Sequence, residues 1–184
     1  MNAKSFQRLT LYFVGVVTAS ILGVLFWDHF HEGVPSHHLL ANKNLPEISN
    51  WWGAFSLPLT SYFLLTRIKK RITSARQTDS NDVKWKFLLP FLASLAYALI
   101  LAISYTTGNS QISGFMFQAL FIIAILVPIY KSEYLLGFII GLVYTFGGVL
   151  PIIIASFFAI LSYTIQVFVI PLIKKIPSVL GWKK

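Results

Sequence analysis

Between Tyr134 and Ile173 the chain carries no charged residue. One helical crossing of a bilayer needs about 20 mostly apolar residues, so this run is too long for a single span. The strong breakers within it are Gly147, Gly148 and Pro151. Glycine accepts a tight turn and proline suits the first turn of a following helix. The run therefore divides into spans 134–150 and 151–173, with a pair of half-helices that dip in and return as the alternative. Further apolar runs cover 9–27, 87–106 and 112–130, and a shorter one covers 51–66. The expectation is an all-α fold, a polytopic membrane helical bundle of about six transmembrane helices in one domain.

Composition agrees. Hydrophobic residues make up 56% and charged residues 11%, against about 25% charged in soluble domains. The formal charge of +9 does not point to nucleic acid, because the cations lie at the ends of apolar runs rather than clustered on a water-exposed face. No cysteine is present, so disulfides and thiolate metal sites are excluded. Lys4 and Arg8 precede an apolar run that continues to Trp27, which reads as an uncleaved signal anchor.

Lysine and arginine concentrate on the cytoplasmic side of membrane proteins. Six spans with both termini in the cytoplasm put Lys4 and Arg8, a basic loop at 67–86, Lys131, and the Lys174–Lys184 tail inside, leaving Lys43 outside. The basic loop reads as a stop-transfer signal that also attracts anionic lipid. Trp27, Trp51, Trp52, Trp85 and Trp182 fall near span ends, where an indole prefers the headgroup level. The expected location is a cell inner membrane, multi-pass, with the loop 28–50 on the periplasmic or extracellular side.

That loop holds all four histidines: His29, His31, His37 and His38. Asp28, Glu32 and Glu47 accompany them. If the first helix continues past Trp27, then Asp28, His31 and Glu32 share a face. Gly33 and Pro35 would end that helix, and Ser36 would cap a short second helix carrying His37 and His38. Doubling back would bring His37 or His38 toward the first face. Imidazole and carboxylate together suit zinc, with iron or manganese as alternatives. The expected metal ligands are Asp28, His29, His31, His37 and His38, with Glu47 or Asn50 completing the site from the far end of the loop. A bound metal makes hydroxide available at neutral pH, and Glu32 or Asp28 would act as general base.

The pattern is not a zincin motif, since Gly33 and Pro35 interrupt the helical turn that HExxH requires. It is also one residue longer than the H-x-G-x-[ST]-H element of membrane-bound metal-dependent hydrolases. The plainer reading is that these histidines are solvated or cap helix ends, and that the acids are ordinary loop residues. Two minor readings are a pH sensor built on the clustered histidines and a Ser36–His37 nucleophile pair.

No ionisable residue lies in mid-span, which argues against a charge-coupled transporter. Gln118, Gln166 and several hydroxyls are expected to bond between helices, and Tyr97, Tyr144 and Tyr163 to line a cavity or pack. Gly137 and Gly141 form a GxxxG, a candidate close-packing or homo-oligomer contact. The functional expectation is a metal-dependent hydrolase acting on a lipid or lipid-linked substrate within the bilayer. The alternative is a non-catalytic scaffold, partner subunit or small-solute channel.

Overall fold

The computed structural model describes residues 3–31, 33–34, 36–38, 47–74 and 80–173. Among them the chain forms six helices and one small hairpin. These are α1 (Ala3–His31), β1 (Ser36–His38), β2 (Glu47–Ser49), α2 (Trp51–Ser74), α3 (Ser80–Thr106), α4 (Ser110–Leu126), α5 (Ser132–Phe146) and α6 (Leu150–Thr164). α6 runs on through a π turn at Ile165–Val169.

The helix ends follow local chemistry. α1 stops where Gly33 takes φ 85° and its N–H donates to the Asp28 carbonyl at 2.7 Å, closing the last turn as glycine caps do. α4 ends at Leu126, earlier than the apolar run suggested. Val127 is extended (φ −116°, ψ 136°) because Pro128 follows, and proline disfavours helical backbone in the residue before it. α5 ends at Gly147, and Pro151 sits in the first turn of α6. The segment 67–74, expected as basic loop, is helical: charge ends the apolar run but not the helix.

Among the described residues, three helices are long and apolar enough to cross a membrane: Ser5–His31, Trp85–Thr106 and Leu150–Ile173. α4 and α5 are apolar but short. The 15 residues of α5 rise about 22 Å, against a hydrocarbon core of about 30 Å. Large apolar side chains face outward along the bundle, among them Leu92, Ile103, Phe115, Ile122 and Ile160. Apolar surface of this extent fits a hydrocarbon solvent, not water.

α3 and α5 run parallel and pack tightly. A Cβ on Gly141 would meet Ala98 Cβ at 2.5 Å, and one on Gly137 would strike the Phe91 carbonyl and Ser94 hydroxyl. The GxxxG, expected to make a close helix packing or a homo-oligomer contact, packs closely on α3 of the same chain. Tyr105 and Phe146 meet at 4.8 Å between centroids farther along this pair. α4 and α6 are likewise parallel, joined by Phe117, Phe121, Phe157 and Phe158. Ser162 donates to the Val127 carbonyl at 3.1 Å and Gln166 to the Ile125 carbonyl at 2.7 Å. These are the interhelical bonds expected of polar residues in such a bundle. α1 and α2 are antiparallel, with Ile21, Leu25, Leu57 and Leu64 buried in the core.

These contacts define two ends. One carries the hairpin, the start of α2 and the α5–α6 turn. The other carries the end of α2 and the starts of α3 and α5.

Candidate functional site at the hairpin end

α1 does continue past Trp27, so Asp28, His29 and His31 occupy its last turn. His31 Nδ1 lies 2.9 Å from the Trp27 carbonyl, and its ring stacks on Trp27 at 4.0 Å. A carbonyl only accepts, so Nδ1 must carry the proton. In the neutral ring Nε2 is then the free lone pair. The His29 ring meets Trp51 edge-on at 6.0 Å and Phe30 at 5.3 Å. Glu32 lies outside the described residues.

The helix expected after Ser36 does not form. Ser36–His38 is a strand, antiparallel to Glu47–Ser49. The Ser36 hydroxyl donates to the Glu47 carboxylate instead of capping a helix. Register sets His38 opposite Glu47, His37 opposite Ile48 and Ser36 opposite Ser49. The two halves of the loop are therefore brought together, with Glu47 on the strand opposite the Ser36–His38 segment. Residues 39–46, including Lys43, lie outside the described residues.

A two-stranded ribbon alone is marginal in stability; here its ends are tied down. Val34 packs against the core. β2 leads directly into α2, where Gly53 N–H donates to the Asn50 carbonyl at 2.8 Å. The Asn50 carboxamide occupies the space over Gly147, whose φ of 72° suits glycine. A Cβ on Gly148 would sit 2.5 Å from Gly53 Cα, so the start of α2 and the α5–α6 turn meet backbone to backbone. Asn50 thus sits at the contact between the start of α2 and the α5–α6 turn. Its role was not legible because its partner lies almost a hundred residues away.

Among the described residues no group of three or more His, Asp or Glu side chains converges on one point. The hairpin end therefore offers the Glu47 carboxylate, held by the Ser36 hydroxyl on a strand opposite His38, and the His31 ring with its Nε2 lone pair on α1. Comparison of the chain with protein-family models, with curated proteins and with solved structures finds no match.

Sequence reasoning missed one polar pair entirely, and it lies at the other end. Arg71 of α2 donates through Nη1 to both carboxylate oxygens of Glu133, at 3.0 and 2.8 Å. The guanidinium also lies 5.4 Å from the centre of the Phe87 ring. Glu133 is buried, while the Arg71 side chain is 42% exposed. The available signal was a lone acid opening an apolar run directly after Lys131 and Ser132.

Proposed function

We propose that this chain is a six-span inner-membrane protein whose working surface is the hairpin end, facing the periplasm or the cell exterior, with both termini cytoplasmic. Its polar cap takes up a transition metal, zinc by preference, through His38, Glu47 and His31, with Asp28, His29 and His37 as further donors. The bound metal supplies activated water, and Asp28 or Glu32 serves as general base. Lipid headgroups and lipid-linked substrates lie at that depth, so hydrolysis of such a substrate is the activity that fits. The observation that carries this reading is the strand register, which sets the His38 and Glu47 backbones opposite each other in the segment that follows the histidine-bearing end of α1. His31 adds support, since a Nδ1–H bond to a carbonyl is the usual way a metal-binding imidazole is oriented.

A second reading is favoured by the absence of any three-ligand cluster among the described residues. Under it the cap is a structural lid, and the protein is a scaffold or partner subunit without a reaction of its own. Elemental mass spectrometry of untagged protein in mild detergent decides between them. The metal reading requires about one metal per chain, lost in a His31→Ala/His38→Ala variant. No metal in either protein leaves the lid.

Sidedness has its own test. The chain has no cysteine, so single replacements are clean reporters. Lys43→Cys should react with an impermeant maleimide from outside the cell, and Lys131→Cys only after lysis. Reaction of both from outside would end the six-span arrangement.

A further inference from the structure

A cavity of about 390 Å³ lies among α3, α4, α5 and α6, away from the hairpin end. Its existence follows from the packing. Glycines draw α5 onto α3, while phenylalanine rings tie α4 to α6. Tyr97 bridges the remaining gap by donating from its hydroxyl to the Met116 carbonyl across α3 and α4. The cavity volume falls within the range of about 300–1,000 Å³ typical of small-ligand sites.

The lining says what would occupy it. The wall is overwhelmingly apolar, with Leu120, Ile123, Phe138, Ala155 and Phe158 among its residues. Ser94 belongs to the wall, but its hydroxyl donates to the Phe91 carbonyl at 3.0 Å, and the Tyr97 hydroxyl is likewise engaged. No charged side chain lines the space. Water needs two to four polar partners to be held in a cavity, roughly three on average, and these walls spare few. A polar solute would fare worse, and an empty apolar void forfeits dispersion contacts on every wall. The occupant is therefore apolar. Ala93, on the rim, is exposed and is flanked by the exposed Leu92. The space thus reaches the apolar flank of the bundle beside α3. Two further lining residues, Ile129 and Tyr134, bracket Lys131 along the chain, a cation suited to a phosphate.

We propose that this cavity is a binding site for one fatty acyl chain of a bilayer phospholipid, admitted between α3 and α4. The proposal rests on the membrane part of the reading above and is independent of the metal.

The test uses the full chain in phosphatidylcholine vesicles containing a phosphatidylcholine with a mid-chain diazirine. Flotation with the vesicles checks membrane insertion separately, so its failure would count against the membrane reading and not against the site alone. After illumination, peptide mapping should find label on Tyr97, Leu120 and Phe138, besides the outward-facing Phe115 and Ile122. Ala155→Trp fills the cavity and Ala93→Trp blocks its rim. Either should cut labelling of the lining residues about tenfold, as an overpacking cost implies, with the outward residues unchanged. Ala93 is exposed, so that variant decides should Ala155→Trp misfold. Label confined to Phe115, Ile122 and their like in the parent protein would overturn the proposal. So would lining labels that persist undiminished in a folded Ala93→Trp chain.

Discussion

At the hairpin end, Gly53 and Gly148 meet with no side chain between the backbones, and the Asn50 carboxamide lies over Gly147. At the opposite end the same two helices, α2 and α5, are joined by one guanidinium reaching a buried carboxylate. The first junction is a matter of shape and tolerates no added atom. The second is a matter of charge and is lopsided, because Arg71 keeps one side toward the surroundings while Glu133 does not. A shape junction fixes the position of whatever it carries, here the start of α2 and the hairpin leading into it. A charge junction holds elements together yet leaves the exposed partner able to move. The end carrying the histidines is thus the more rigidly placed of the two.

The strongest challenge to that contrast is a single methyl group. Gly148→Ala would put Cβ 2.5 Å from Gly53 Cα, and backbone cannot yield as a side chain can. The expected cost is about 3 kcal/mol, the upper part of the usual range for overpacking. In detergent this should lower the thermal midpoint by roughly 6–12 °C for a chain of this size. A midpoint within a degree of the parent would show that the α2 start and the α5–α6 turn separate freely, and the shape junction would be refuted.

The ion pair should respond unequally to loss of either partner. Arg71→Ala strands Glu133, which is 2% exposed, without a counter-charge. A buried carboxylate left alone is costly, and about 2 kcal/mol is expected once the exposure of Arg71 is discounted. Glu133→Gln leaves an arginine that is already 42% exposed and can turn to water or lipid phosphate. Its cost should stay under about 1 kcal/mol. Chemical denaturation of the two variants side by side measures the inequality. Equal losses would mean that Arg71 is as confined as its partner.

Several of these features were written in the chain and several were not. Gly147, Gly148 and Pro151 announced the α5–α6 turn because an apolar run leaves glycine and proline as its only punctuation. Gly33 announced the end of α1 for the same reason. The early end of α4 was equally available in Pro128, but hydropathy alone passes over a proline set among isoleucine, leucine and valine. The reach of α2 to Ser74 was hidden, because a change from apolar to basic residues marks a membrane boundary and not a helix boundary. The hairpin was harder still. Each strand is three residues long, too short to show alternation, and Ser36 serves a helix cap or a cross-strand bond equally well by type. Arg71 and Glu133 are 62 positions apart, and nothing local in either segment names the other.

The hairpin itself offers the smallest and most selective perturbation. Ser36→Ala removes the hydroxyl that donates to Glu47. The bond is exposed, so water replaces it readily, and global stability should change by less than about 0.5 kcal/mol. Locally the two strands lose a cross-link, and a bond worth about 1 kcal/mol keeps the ribbon closed roughly fivefold more often. Hydrogen exchange at the His37 and Ile48 amides should therefore quicken about fivefold, while amides of α5 keep their protection. The outcome also bears on the site. If the hairpin is an appendage seated on a rigid junction, its opening loosens the register of Ser36–His38 against Glu47–Ser49 and nothing else. If instead the thermal midpoint falls as far as in Gly148→Ala, the hairpin is part of what holds the bundle together. The contrast between a fixed base and a separable cap would then have to be abandoned.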